Sequence, residues 1–227
     1  MEGPSAPSGA RRPDPVVAVL TGGASRRMGS HKPLLEVAGR PLVARVLAAA
    51  GDWPALVVGP TRGVPDGTRS VLEPVPGGGP VAGLAAAVSA LPEGPDAPQV
   101  LVVLAADLPF VTHAHLARLV DALDPSTYAA RTLLGTADLA VTVTADGRTN
   151  WLCAAWRFTA LRARLEEVGD AYGRSMRELC ADVPTALVDD PDDVALDVDT
   201  PADLDRARGR AEGQADGPEG GSTKSGS

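Results

Sequence analysis

Lysine is almost missing from this 227-residue chain: of its 21 basic residues, only Lys32 and Lys224 are not arginine. Lys224 stands in a Gly/Ser-rich C-terminal stretch, so Lys32 is the one lysine of the part that reads as folded. A chain this biased toward arginine uses lysine where a broad planar fork does not fit or where a compact point charge is wanted. Positive charge as a whole is also short. The formal net charge of -8 leaves no extended basic face for a nucleic acid polymer, although a small phosphorylated ligand needs only a local cluster. Cysteine is limited to Cys153 and Cys180, far apart and without CxxC spacing. That indicates neither a disulfide scaffold nor a zinc site, and the two read as buried, reduced thiols. No apolar run approaches the roughly 20 residues that span a bilayer. The start MEGPSAPSGARRPDP lacks the apolar stretch of a signal peptide. A cytoplasmic protein with no membrane partner is expected.

What is present is an alternation. The length admits one large domain or two small ones. Residues 1–14 and 211–227 are rich in Gly, Pro, Ser and charge and read as a flexible N-terminal segment and a disordered tail. One domain over 15–210 remains. Within it, Pro15 to Leu20, Ala55 to Gly59, Val100 to Ala105, Leu139 to Thr144 and Trp151 to Trp156 read as strands. Pro41 to Ala50, Val81 to Leu91, His115 to Leu123 and Thr159 to Val168 read as helices between them. Strands apolar on both faces and alternating with helices imply a parallel sheet covered on both sides. The expected fold is therefore α/β: a three-layer α/β/α sandwich around a mostly parallel, Rossmann-like sheet. Ligands of such sheets lie beyond the carboxyl ends of the strands, just after Leu20, Gly59 and Ala105.

After the first strand comes LTGGASRRMGSHKPLL, Leu20 to Leu35. Gly22 and Gly23 allow a sharp turn and leave no side chain between backbone N–H groups and a ligand. Such a loop can cradle phosphates, with Arg26, Arg27 and Lys32 supplying charge. It is neither GxxxxGK[ST] nor GxGxxG, and glycines alone leave open a plain tight turn with solvated arginines. In AADLPF, Asp107 lies two residues past a wholly apolar strand, so its carboxylate emerges at the carboxyl edge. A magnesium ion needs hard oxygen ligands of this kind, although Asp before Leu-Pro also serves as a turn residue. Asp199-Thr200-Pro201 makes a good helix start. Glu73 reads as an ordinary loop acid or as an acceptor for the N–H groups of a ligand. His113 and His115, two residues apart at a helix start, point apart and read as solvated or capping. Asp190 to Asp193 (DPDD) reads as a solvated loop.

The glycine segment resembles the LxGGxSxRMGxxKxLL signature of nucleotidyltransferases of the molybdenum cofactor guanylyltransferase (MobA-like) type. EPVPGGGPVAGL (Glu73 to Leu84), LAADLPFV (Leu104 to Val111) and DVDTPADL (Asp197 to Leu204) follow in the family's order, so the similarity spans Val16 to Arg208. Two departures stand out: Thr21 replaces the usual alanine, and the loop after the second strand reads GPTR where the family often carries asparagine. The resemblance implies a GT-A-like nucleotidyltransferase fold and Mg²⁺-dependent transfer of GMP from GTP to molybdenum-molybdopterin, with pyrophosphate released. It implies nucleotide contacts from Leu20, Thr21, Gly22, Gly23, Lys32, Glu73, Gly79 and Asp107. Arg27, Lys32 and Asp107 would be catalytic, and Asp107 would hold the metal. Asp199 carries two readings side by side, helix cap and second metal ligand. Arg148, Arg157, Arg174 and Arg177 are candidates for an anionic acceptor, each also reading as a solvated surface arginine. The implied partners are GTP or another NTP, a molybdopterin-type or other phosphorylated acceptor, and molybdenum-insertion or molybdoenzyme proteins, with the chain itself a monomer. CTP as donor, phospholactate or a sugar phosphate as acceptor, and a non-catalytic nucleotide-binding regulator stay open. Retention of both Lys32 and Asp107 argues against the last.

Overall fold

A computed structural model describes residues 15–22, 32–126, 131–132 and 135–215. Residues 1–14, Gly23, Arg26 and Arg27 lie outside the described residues. In chain order the first half consists of β1 (Pro15–Leu20), the hairpin β2 (Glu36–Val37) and β3 (Arg40–Pro41), α1 (Leu42–Ala48), β4 (Ala55–Val58), β5 (Arg69–Val71), α2 (Gly79–Ser89), β6 (Val100–Ala105) and α3 (His113–Asp121). The second half adds the pair β7 (Arg131–Thr132) and β8 (Gly135–Thr136), then β9 (Leu139–Thr144), β10 (Thr149–Arg157), α4 (Phe158–Val168), α5 (Met176–Leu179), β11 (Thr185–Asp190) and α6 (Pro201–Ala215).

Seven strands form one sheet in the order β11-β9-β10-β6-β1-β4-β5. Only β10 runs against its neighbours β6 and β9, and the other pairings are parallel. The reversal is local in origin. A short turn with Gly147 at φ +81 joins β9 to β10, and a tight hairpin can only make an antiparallel pair. Alternate residues of β1 point to opposite layers. Val17 and Val19 pack with α1 and α3, whereas Ala18 and Leu20 pack with α2, α4 and α5. The three-layer, mostly parallel sandwich expected from the sequence is the observed architecture. Among the described residues, no helix is long and apolar enough to cross a membrane.

A third apolar cluster anchors the last helix. Leu204, Ala207 and Ala211 recur at helical spacing on α6 and bury against Val37, Leu42, Phe110 and Val198. The helix therefore runs to Ala215, past the Arg210 boundary that composition suggests. Composition weighs the glycines and acids of this stretch; packing depends only on its buried face. The helix also stacks the Arg210 guanidinium on the Phe110 ring at 4.2 Å. β11 is not legible as a strand in the sequence because half of it is polar. It is half-buried by alternation: Ala186, Val188 and Asp190 face inward while Leu187 is exposed. Asp190 is thereby 1% exposed, not part of a solvated loop. Its carboxylate accepts the backbone N–H groups of Val194 (3.0 Å) and Ala195 (2.7 Å), which compensates the burial.

Candidate active site

The carboxyl ends of β1, β4 and β6 converge, and the first contact among them is backbone. Ala106 N–H donates to Leu20 O at 3.1 Å, and Thr21 N–H to Val58 O at 2.9 Å. The two departures from the family pattern meet here. The buried Thr21 hydroxyl lies 2.8 Å from Pro60 O and 3.1 Å from Val58 O, tying the first loop to the GPTR loop. Gly59 between them has φ +110, and a Cβ there would sit 2.8 Å from Thr21 Oγ1 and 2.9 Å from Gly22 N. No larger residue fits. Gly22 is constrained from the other side, since a Cβ on it would lie 2.9 Å from Glu73 Oε1. The Glu73 carboxylate thus sits beside Gly22, and its Oε2 accepts the Gly78 N–H at 3.2 Å. Gly79, at φ +85, opens α2 at the same rim.

Lys32, just beyond the glycine loop, reaches across to two carboxylates. Its Nζ is 2.5 Å from Asp107 Oδ2 and 2.5 Å from Asp199 Oδ1. Burial works against the ammonium, but Asp107 and Asp199 together outweigh it and hold Lys32 above the ordinary lysine range. Asp199 is brought in by backbone: Val198 N–H donates to Asp107 O at 3.1 Å. Capping of α6 falls to its neighbours. Asp203 Oδ2 accepts the N–H of Asp199 (3.1 Å) and of Thr200 (2.7 Å), and Thr200 Oγ1 accepts Asp203 N–H at 3.2 Å, a reciprocal capping pair. The Asp199 side chain is directed to Lys32 instead. Burial, then the hydrogen bond and charge of Asp199, push the neighbouring Asp197 carboxyl up to about 6.

The donor set suits a hard divalent cation that arrives with other ligands. Asp107 Oδ1 is sealed from solvent with no hydrogen-bond partner, which is a strong acceptor left unused. Among the described residues no three His, Cys, Asp or Glu side chains gather into a metal-holding group. Two carboxylates completed by phosphate oxygens and water is the usual arrangement for Mg²⁺.

Beside this cluster opens a cleft of about 690 Å³, lined by Gly78, Pro80, Asp107, Asn150, Trp151, Arg148 and Arg174 among others. The four candidate arginines separate here. Arg148 and Arg174 border the cleft, paired with Asp146 at 2.7 Å and Glu178 at 3.6 Å. Arg157 is a structural clamp at the other end of β10, donating to Ala137 O at 2.9 Å and to Leu123 O. Arg177 is exposed on α5 and outside the cleft. Nothing in the sequence marks Asn150 and Trp151 as site residues, because a bulge decides their placement. The β9–β10 register shifts between Asn150 and Ala154, while Asn150 bonds Ala195 O and Leu152 N, both at 3.0 Å.

One of the two histidines corrects the expectation of solvated or capping rings. His115 is 1% exposed; its Nε2 lies 2.8 Å from Thr142 Oγ1, which itself donates to Cys153 O at 2.8 Å. With that hydroxyl hydrogen committed, Nε2 carries the ring proton, and Nδ1 accepts from Arg118 at 2.7 Å. Burial lowers the His115 pKa; Asp190 opposes this and Arg118 adds to it. The only sequence clue is helical spacing, which puts His115 on the same face as Leu119. His113 is exposed, as expected, with Nδ1 3.2 Å from Ala49 O and its ring centroid 4.5 Å from that of Trp53. Cys153 and Cys180 are buried and free, with thiols pushed up to about 12 chiefly by burial.

Comparisons with known proteins agree with this geometry. Residues 17–186 match the family model of the MobA-like NTP transferase domain. A molybdenum cofactor guanylyltransferase of Rhodobacter capsulatus is 30% identical over 199 residues, covering 85% of this chain and 94% of that protein. Among solved structures, molybdopterin-guanine dinucleotide biosynthesis protein A from Archaeoglobus fulgidus has a TM-score of 0.66 at 20% identity, over 87% of this chain and 99% of its own. The 2-C-methyl-D-erythritol 4-phosphate cytidylyltransferase from Thermus thermophilus has a TM-score of 0.57 at 20% identity, over 89% and 100%. At these identities the structures establish the shared nucleotidyltransferase fold.

Proposed function

The chain belongs to the MobA-like NTP transferase family, and from that membership we propose that it transfers GMP from GTP to molybdenum-loaded molybdopterin with release of pyrophosphate. The observation that carries the reading is the Lys32, Asp107 and Asp199 cluster, set at the carboxyl edge of the sheet between the glycine segment and the cleft. The name of the Rhodobacter capsulatus relative supports the acceptor and the base. Glu73 supports guanine as well: a carboxylate at that rim offers acceptor oxygens to the two N–H groups of a guanine edge.

In this reading Gly22 and Gly23 let backbone N–H groups approach the phosphates, with Leu20, Thr21 and Gly79 forming the wall around the nucleotide. An oxygen of the acceptor's phosphate attacks the α-phosphorus, the bond to the bridging oxygen breaks, and pyrophosphate leaves with the electron pair. Little covalent work falls to the protein, so rate comes from positioning and from charge placed where negative charge grows. Lys32 and Arg27 would take the charge of the leaving group. Asp107 and Asp199 would hold Mg²⁺, which when bound supplies charge neutralisation for the triphosphate. Arg148 and Arg174, on the other side of the cleft, would hold the anionic acceptor and orient its phosphate.

A second reading keeps the chemistry and changes the base. The tie between Thr21 and Pro60 O joins the two loops at which this chain departs from the guanylyltransferase pattern, and CTP is the donor to set against GTP. The test is pyrophosphate release by the purified protein with Mg²⁺, offering each of the four NTPs with and without molybdenum-loaded molybdopterin, beside Asp107→Ala. Release with GTP, dependent on the pterin and lost in the variant, is expected. Release with CTP would move the reading to a cytidylyltransferase, and no turnover with any pair would leave a nucleotide-binding regulator.

A further inference from the structure

The two carboxylates suited to a cation already hold one, the ammonium of Lys32. Its Nζ lies 2.5 Å from an oxygen of each, the side chain is only 14% exposed, and the second Asp107 oxygen is sealed without a partner. A monovalent point charge on a flexible stem can stand in such a place and leave it by rotating about its own bonds. A guanidinium fork, with donors fixed in a plane, is less able to do both. This gives a physical reason for a lysine in a domain whose other basic residues are arginines.

We propose that in the nucleotide-free protein Lys32 holds the place of the divalent cation between Asp107 and Asp199, and that metal competes with it weakly there until the phosphates of a nucleotide draw Lys32 away. A metal ion and the ammonium cannot both occupy the near oxygens of the two carboxylates. A bare metal ion would have to expel Lys32 at the cost of its contacts with both aspartates, whereas an incoming triphosphate offers it new counter-charge. Lys32 is thus a positioning residue for metal entry in addition to any contact with the leaving group. The buried carboxylate keeps a counter-charge in both states, which avoids the cost of an unpaired buried charge. The identity of the incoming group rests on the nucleotidyl-transfer reading; the competition between lysine and metal does not.

The test uses the full chain without nucleotide and Mn²⁺ alone as probe, with free Mn²⁺ followed by electron paramagnetic resonance. Lys32→Met is expected to bind Mn²⁺ at least tenfold more tightly than the wild-type protein. Adding Asp107→Asn to that variant should abolish the gain. Equal affinity of wild type and Lys32→Met, absence of binding to both, or a gain that survives Asp107→Asn would overturn the proposal. Lys32→Gln, which retains a neutral donor for Asp107, is the second variant should Lys32→Met not fold. Because Lys32 and Lys224 are the only lysines, amine labelling read by mass spectrometry reports on the wild-type residue itself, with Lys224 as internal reference. Mn²⁺ at a concentration where it is bound should raise Lys32 labelling severalfold relative to Lys224, and unchanged labelling would also overturn the proposal. None of these measurements needs turnover. Failure of every NTP in the pyrophosphate assay would sink the guanylyltransferase reading while leaving this result standing, and equal Mn²⁺ affinities would do the reverse.

Discussion

The halves of the sheet on either side of β6 are built from different materials. On the β1 and β4 side the strands are aliphatic, and their carboxyl edge is shaped by backbone: Thr21 N to Val58 O, Ala106 N to Leu20 O, and Gly59 where no Cβ fits. On the β10, β9 and β11 side the interior carries polar groups, among them His115 on Thr142, Asp190 on two backbone N–H groups, and Arg157 on loop carbonyls. A backbone-lined rim suits a ligand part common to all nucleotides, whereas an arginine-flanked cleft suits an acceptor that differs between relatives. The difference also separates failure modes. Damage to the first half should strike the reaction, and damage to the second should strike acceptor binding or the fold.

The largest effect should come from the group at the seam. Asp107→Ala removes a carboxylate at the strand end and is expected to lower kcat for pyrophosphate release by about 10³-fold or more, read in a steady-state assay with the fold checked by circular dichroism. Lys32→Ala should follow with a loss of about 10²-fold, mostly in kcat, because a contact made mainly in the transition state affects rate more than binding. A change confined to KM would remove Lys32 from the transition state. Across the cleft, Arg174→Ala and Arg148→Ala should each raise the acceptor KM about tenfold, the equivalent of one charged hydrogen bond. Nucleotide affinity by calorimetry should stay unchanged. If nucleotide affinity falls instead, the division of labour between the two halves is wrong.

The fourth prediction concerns stability. The folded protein holds His115 neutral, with a pKa below its ordinary value of 6.5, so the unfolded chain binds a proton that the folded state refuses. This contribution is complete above pH 6.5 and is lost as pH falls from there toward the lower folded value. Urea midpoints should therefore drop as pH falls below the ordinary histidine value of 6.5, and the drop should be shallower in His115→Gln, which can keep the bond to Thr142 without titrating. An equally steep drop in the variant would assign the acid sensitivity to other groups. The effect is expected to be the smallest of the four at neutral pH.

Much of the frame is legible from local pattern. PVVAVL and VLVVLA read as strands because continuous apolar runs bounded by turn residues have few other uses, and the residue after such a strand lands at the sheet's edge, which is how Asp107 is found. Asp190 and His115 defeat a linear reading for one reason: a polar residue reads as solvated unless its partners are known, and these lie 5 and 27 residues away in the chain. The reach of α6 to Ala215 escapes composition because only three of its residues need be buried to hold it.

Local pattern is enough to give the alternation of β1, β4, β6, β9 and β10 with helices and the layered sheet that follows from it, since each rests on the periodicity of neighbouring residues. Packing in three dimensions settles that Thr200 and not Asp199 caps the last helix, that two of four candidate arginines face the cleft, and that Lys32 meets an aspartate 167 residues away. Hydrophobic periodicity is a local property that a linear reading can follow. Charge pairing depends on distances set after the chain has folded.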